Sequence, residues 1–335
     1  MVESSEIFKN VLVTGGAGFI GSHLVDYLLE QRHSVSIIDD LSTGSMKNIE
    51  HVIDRDDVNF IEGDILDSDL VEKQVEKSDL VFHMAAVVGV QNVVKIPRRG
   101  IEVNVGGTEN VLRSAFKHDT RVVLASSSEV YGISRDIPFR EDGDRTLGPT
   151  NVQRWSYAAC KALDEHLGLT YVSEGLPVAS VRYFNAYGPR IDESGYGSVI
   201  AKFIAQAFRN EEMTLYGDGN QTRSFTYVRD TVRCTYLAGT HPDAIGEVFN
   251  VGSGVETSIR ELAVEICRQT GVDPVFKYIP FEKAYGPAFQ DIYRRVPSME
   301  KAKNILGFEY QVDLQEGLKR TIEWAKANYV SANSG

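Results

Sequence analysis

The chain has 335 residues, 42% hydrophobic and 24% charged, with a formal net charge of −12. This length exceeds one average domain, so a large main body carrying a smaller second lobe is expected. The acidic balance disfavours a general nucleic-acid binder, which displays a basic face, and no run approaches the ~18 uninterrupted apolar residues of a membrane span.

In chain order, MVESSEIFKN holds two glutamates and no apolar run; it reads as a lead-in rather than a secretory signal, which makes the cytoplasm the expected compartment. Short β-rich runs follow at Asn10–Thr14, Ser34–Ile38, Asn59–Ile61, Leu80–His83 and Arg121–Ala125. Helical spacing of apolar residues separates them, at Ser22–Gln31 and Gly106–Lys117. The helix Ser156–Ser173 then leads into a strand, Val178–Phe184. Such alternation predicts an α/β fold with a parallel, doubly wound sheet of the Rossmann type. Beyond residue 185 the pattern is irregular, with glycine turns at Gly217–Gly219, a strand at Val248–Val251 and a helix at Ser258–Thr270. Residues 1–185 are therefore assigned to a dinucleotide-binding domain and 186–335 mainly to a mixed α/β substrate lobe, the chain returning to the sheet near 245–255. Ser331–Gly335 is a polar tail expected to fray. Cys160, Cys234 and Cys267 are odd in number and far apart, which argues against a disulfide framework or a metal site.

Directly after the first strand comes TGGAGFIG, residues 14–21, at the mouth of a helix. Gly15, Gly18 and Gly21 let the backbone turn and approach a pyrophosphate at the helix N-terminus, with Phe19 and Ile20 in the first turn. Asp39 lies eighteen residues past Gly21, at the end of the second strand. A carboxylate there accepts hydrogen bonds from an adenosine ribose and repels a 2′-phosphate, which favours NAD over NADP. Asp64 and Ile65 follow the third strand, where they could meet the adenine; a solvated turn carboxylate is the alternative for Asp64. Ala85 follows the fourth strand among small residues near the phosphates, while His83 is read as structural.

Tyr157 and Lys161 stand four residues apart, on one face of a helix at neighbouring turns. A free phenol has a pKa near ~10, so a tyrosine acting as base at neutral pH needs roughly three units of depression. Lys161 and the positive nicotinamide ring are the expected sources of it.

Together with TGGAGFIG and SSSEVYG, residues 126–132, this YxxxK resembles the extended short-chain dehydrogenase/reductase family, over nearly the whole chain. DDLSTG (39–44), RYFNAYGPR (182–190) and YGDGNQTRSF (216–225) are similar to segments of its nucleotide-sugar epimerases, dehydratases and decarboxylases. The resemblance implies that Asn185 and Arg223 contact the nucleotide diphosphate, that Lys161 also holds the cofactor, and that Ser127 assists Tyr157 at the sugar 4-position. It also implies a homodimer, for which Gly106–Lys117 and Ser156–Ser173 offer apolar faces that pair across a two-fold axis.

The family's 4,6-dehydratases carry Asp-Glu before Val-Tyr-Gly, whereas this chain has Ser128-Glu129, and serine is a poor proton donor by comparison. The UDP-glucuronate decarboxylases resemble this chain in having Ser-Glu there. The segment Tyr285–Ser298 also looks like their Arg-x-Pro segment, with Arg295 in the position of the arginine that helps at C5. Ser128 and Arg294 are assigned to substrate binding, and for the pair Arg294-Arg295 phosphate binding or plain surface charge stands as the alternative. The expected reaction is decarboxylation of UDP-glucuronate through a 4-keto sugar, with 4-epimerisation and then dehydration as alternatives; a silent nucleotide-sugar-binding protein is the non-enzymatic one.

Overall fold

A computed structural model of the chain describes residues 8–88, 96–192, 198–285 and 292–329. The lead-in before Phe8, residues 286–291 of the arginine segment and the polar tail lie outside the described residues.

Seven parallel strands form the main sheet: β1 (Asn10–Thr14), β2 (Ser34–Asp39), β3 (Val58–Glu62), β4 (Leu80–His83), β5 (Arg121–Ser127), β6 (Val178–Tyr183) and, from far along the chain, an edge strand Val248–Val251. Starting from that edge, the order runs through β6, β5, β4, β1, β2 and β3. The direction of winding therefore reverses between β1 and β4. In such sheets ligands bind outside the carboxyl ends of the strands at this switch point. Both faces are covered, which is why β1, β4 and β5 are apolar on both sides rather than alternating. Helices Phe19–Glu30 and Val228–Thr240 bury one face, and Ser68–Val75, Thr108–His118 and Arg154–Ser173 bury the other.

The lobe has a separate apolar core in which Val199–Phe208, Ile259–Thr270 and Leu314–Asn328 pack around Met213 and Leu215 of a strand Met213–Tyr216. Phe19 touches both this core and that of the sheet. Two short pairings carry lobe residues toward the sheet edge: Ala186–Tyr187 with Thr226–Tyr227, and Thr222–Arg223 with Thr257–Ser258 on one side and Arg294–Arg295 on the other.

Several boundaries differ from the sequence reading for local reasons. The first helix starts at Phe19 because Gly18 is its N-cap, so the glycine motif itself supplies the first turn. The helix assigned to Gly106–Lys117 is preceded by a helical turn Pro97–Ile101 and a wide π turn, Glu102–Gly107. Within that π turn the Asn104 amide clasps Val87, accepting its N–H at 2.8 Å and donating to its carbonyl at 3.2 Å. Val228–Thr240, in the stretch read as irregular, is a buried helix. Gly217 and Gly219 both have positive φ, at 67° and 77°, as their turn requires.

Candidate active site

The glycine turn closes tightly on the switch point. Gly15 has φ 70°, and a Cβ there would lie 2.7 Å from the Ala85 backbone nitrogen, so only glycine lets β1 and β4 approach in this way. Ala85 donates its N–H to the Thr14 hydroxyl at 3.2 Å, and Thr14 lies 2.8 Å from His83 Nδ1. His83 Nε2 is 3.0 Å from Thr108 Oγ1, which itself donates to the Asn104 carbonyl at 2.6 Å. Thr108 therefore accepts from Nε2–H, and Thr14 donates to Nδ1: one neutral tautomer satisfies the whole chain. Burial, with Lys161 close by, pushes His83 down to about 3. His83 is thus a strut between β1, β4 and the neighbouring helix.

Asp39 ends β2, where its two oxygens accept the N–H groups of Leu41 and Ala17, each at 2.9 Å. Burial pushes its carboxyl up and these two hydrogen bonds pull it back. Gly44 lies against it, and a Cβ at Gly44 would sit 2.7 Å from Asp39 Oδ1. A bare backbone cradle closed by a carboxylate fits a dinucleotide, the glycines offering room for a pyrophosphate and Asp39 an acceptor for a ribose. Asp64 accepts Leu66 N–H at 2.9 Å and pairs with Arg99, so its carboxylate is already committed. The Ile65 side chain packs into the core between Gly107 and its neighbours, which leaves only its backbone to meet a ligand.

Along helix Arg154–Ser173, Arg154, Tyr157, Lys161 and Asp164 recur at helical spacing on one side. Ser127, the last residue of β5, hydrogen-bonds Tyr157 and accepts the Glu129 N–H at 3.2 Å. Taken with the protein's own groups alone, the phenol is held above its ordinary value rather than below it. Burial pushes it up, Lys161 and Ser127 pull it down, and Glu129 and Asp164 push it up again. Lys161 Nζ lies 3.2 Å from Asp164 Oδ2, an anion that the sequence reading did not pair with it.

Glu129 sits in the turn after β5 among three arginines. Arg295 donates to Oε1, Arg154 reaches Oε2 at 3.3 Å, and the charge of Arg223 adds to theirs. Burial alone would raise this carboxyl, but Arg295 and Arg154 outweigh it and hold Glu129 below its ordinary range. Arg223 is buried, and its Nη1 donates to the carbonyls of Ile292 at 2.7 Å and Thr222 at 2.8 Å, which fixes its direction. Ser128 is buried in the same turn. Asn185 takes a left-handed backbone, φ 33°, and among the described residues its buried Oδ1 has no hydrogen-bond partner.

Arg294 does not join the site. In the strand Arg294–Arg295 successive side chains alternate, so when Arg295 turns inward to Glu129, Arg294 turns out to Glu256, bonding it at 2.7 and 2.8 Å. Its side chain is 50% exposed, against 12% for Arg295. The phosphate-binding assignment for Arg294 fails on this geometry. Arg154 was not singled out in the sequence, although its place three residues before Tyr157 was the available signal.

Residues 11–252 match the model of the NAD dependent epimerase/dehydratase family. A UDP-N-acetyl-alpha-D-glucosaminuronate decarboxylase of Bacillus cytotoxicus is 43% identical over 94% of this chain and 97% of its own. The UDP-glucuronic acid decarboxylase 1 of Xenopus tropicalis is 35% identical over 94% of this chain and 72% of its own. The crystal structure of a UDP-glucose 4-epimerase of Thermotoga maritima with UDP-glucose superposes with a TM-score of 0.86 at 33% identity, covering 96% of this chain and 99% of that one. The switch-point cradle, the Ser127–Tyr157 pair and a sequence match running through both make this chain a member of the NAD-dependent epimerase/dehydratase family, the extended short-chain dehydrogenase/reductases.

Proposed function

We propose that the protein is an NAD-dependent decarboxylase of UDP-linked hexuronates. The carrying observation is the Glu129 turn, where one carboxylate meets Arg295 and Arg154 beside Tyr157 and leaves an excess of positive charge for an anionic sugar. The relative from Bacillus cytotoxicus supports this reading, and by its name the 2-acetamido uronate joins UDP-glucuronate as a candidate substrate.

Gly15, Gly18, Gly21, Asp39, Ala85 and Lys161 would hold NAD, which when bound supplies reversible two-electron oxidation at the sugar C4. Tyr157, oriented by Ser127, takes the proton of the C4 hydroxyl. The sugar then becomes a β-keto acid. Its C5–C6 bond breaks, carbon dioxide leaves, and the bonding pair passes into a C4–C5 enolate. Arg295 faces that negative charge, and a proton from solvent reaches C5 to give the 4-keto pentose; return of the two electrons to C4 and of the Tyr157 proton to its oxygen would complete the pentose. Asn185 and Arg223 bind the diphosphate, and Glu129 orients the sugar.

A second reading, 4-epimerisation, is favoured by the likeness to the epimerase structure that holds UDP-glucose. Incubation with UDP-glucuronate, UDP-N-acetylglucosaminuronate and UDP-glucose, followed by mass measurement of the products, decides between them. Loss of carbon dioxide from a uronate is expected. An unchanged mass with a new stereocentre at C4 establishes the epimerase instead.

The protein is further proposed to work as a homodimer. Phe116 on helix Thr108–His118, and Leu163 and Leu169 on helix Arg154–Ser173, are exposed large apolar side chains on the two neighbouring helices that cover one face of the sheet.

A further inference from the structure

Asp164 has no part in the steps above, yet it makes the closest charge contact of Lys161. Both side chains lie on helix Arg154–Ser173 one turn apart, with Nζ 3.2 Å from Oδ2 and exposures of 2% and 3%. An ion pair so far from water is costly to desolvate: burial pushes the Asp164 carboxyl up, and the Lys161 ammonium foremost offsets part of that, which is what keeps the carboxylate there. If Lys161 served only to stabilise a phenolate, its charge would act best unopposed. Here an anion opposes it.

We propose that Asp164 is a positioning residue that sets the working pH range of the site, keeping the Lys161 ammonium charged and anchored one helical turn from Tyr157 while cancelling part of its pull on the phenol. The inference rests on Tyr157 being the base.

The surroundings leave Asp164 as the main counter-charge. From the same helix, Tyr157, Cys160 and Glu165 face the pair; from β4, the neutral His83; from the helix Thr108–His118, the Thr108 hydroxyl, which also reaches Asp164; and across the site Glu129 faces Tyr157. Burial pulls the Lys161 ammonium down, but Asp164 foremost, with Tyr157, outweighs it and holds Lys161 above its ordinary value. The same carboxylate acts on Tyr157 in the raising direction. Removing its charge therefore lowers both groups: the phenol ionises at lower pH, and Lys161 gives up its proton at lower pH.

The test compares Asp164→Asn with Asp164→Glu in the NAD-loaded enzyme. Asp164 stands seven residues from Tyr157, or ~10 Å of helix, and at an effective dielectric of about 20 a unit charge at that range moves a pKa by on the order of one unit. In the kcat/KM profile, measured with whichever uronate is turned over, the acid limb set by Tyr157 should move about one pH unit lower in Asp164→Asn. The alkaline limb set by Lys161, whose ammonium lies only 3.2 Å from the removed charge, should move further in the same direction, while both stay in place in Asp164→Glu. Without sugar, ultraviolet difference titration of each variant against the same protein carrying Tyr157→Phe should show the phenolate forming at correspondingly lower pH in the Asn variant. A uniform loss of rate with limbs and titration unmoved overturns the proposal in favour of a purely structural aspartate, and so does an Asp164→Glu profile that departs from that of the unaltered enzyme. Turnover retained in Tyr157→Phe overturns the base assignment and this proposal with it; an inactive Tyr157→Phe with an unmoved titration overturns only the role of Asp164.

Discussion

Replacing Arg295 with Ala, with Arg294→Ala as its neighbour control, separates chemistry from surface charge at adjacent positions. Arg295 is 12% exposed and bonds Glu129, whereas Arg294 is half exposed and bonds Glu256. Two unit charges at ~4 Å with an effective dielectric of about 20 interact by about 4 kcal/mol, and loss of a single transition-state charge contact typically costs about 2.7–4 kcal/mol. Arg295→Ala should therefore lower kcat by on the order of 10²–10³ and change KM only a few-fold, because Arg154 and Arg223 remain to attract the uronate carboxylate whereas the enolate charge exists only beyond the ground state. The fold should survive, since Arg154 still holds Glu129 at 3.3 Å. Arg295 is also the stronger of the two cations holding the Glu129 carboxyl down, so its loss lets that carboxyl rise. The carboxylate is then lost at a higher pH than before as pH falls, and the variant's remaining activity should fail earlier on acidification. Arg294→Ala should stay within about three-fold of the parent, as expected of an exposed pair worth little. Steady-state rates of carbon dioxide release over a pH series measure all of this. A kcat loss below about ten-fold for Arg295→Ala, a comparable loss for Arg294→Ala, or a change carried mainly by KM would each refute the reasoning.

Asp39→Ala should weaken NAD binding, measured calorimetrically, by about 1–3 kcal/mol, because a ribose acceptor is lost and the Ala17 and Leu41 N–H groups are left without theirs. Unaltered NAD affinity with NADP still excluded would remove Asp39 from the ribose. Leu163→Glu should shift the protein to monomer in light scattering at micromolar concentration, since a charge would enter an apolar face; a dimer that persists moves the interface elsewhere. Arg182→Met should cost about 3–5 kcal/mol in urea unfolding, as Arg182 holds Glu165 at 2.7 and 2.9 Å and its loss strands a buried carboxylate. A loss below about 1 kcal/mol would mean that water or Ser126 takes over.

The sheet was legible because its signals are local. Strands buried on both faces are unbroken apolar runs, and a Gly-rich turn between strand and helix marks the switch point without knowledge of anything distant. Tyr157 and Lys161 were legible for the same reason, lying one turn apart on a single helix. What escaped depends on partners far along the chain. Arg294 and Arg295 are indistinguishable as letters, and only the pairing with Thr222–Arg223 decides which one meets Glu129, 166 residues away. The Asp164 charge could be read from the sequence, but not its burial against Lys161, which the packing of Thr108 and His83 imposes. For Ile65 the letters could not separate side chain from backbone: Gly107 leaves a hollow that the side chain fills, so any contact with the adenine falls to its backbone. Helix Val228–Thr240 was missed because five of its buried residues, Asp230, Thr231, Cys234, Thr235 and Gly239, are not strongly apolar and blur the helical period.

The two-residue strand Arg294–Arg295 has one more consequence, for alignment. So short a strand has two residue pairs of its own, to Thr222 and Arg223, and is held just beyond them by Phe139, which bonds the Val296 carbonyl and the Ser298 N–H at 2.8 Å each; a slide by one position is the natural error of such a ribbon. Sliding one way would present Arg294 to Glu129 but push the Arg295 guanidinium into the slot of Val296, which is 6% exposed. Sliding the other way would set Val296 against Glu129 and leave that carboxylate with one fewer cation. The first slip strands a charge among groups that cannot solvate it, and the second leaves Glu129 to Arg154 with a valine where the chemistry needs a cation. The arginine pair followed by a valine thus acts as a detent: the side chains that serve the chemistry also lock the ribbon at the single alignment in which they can.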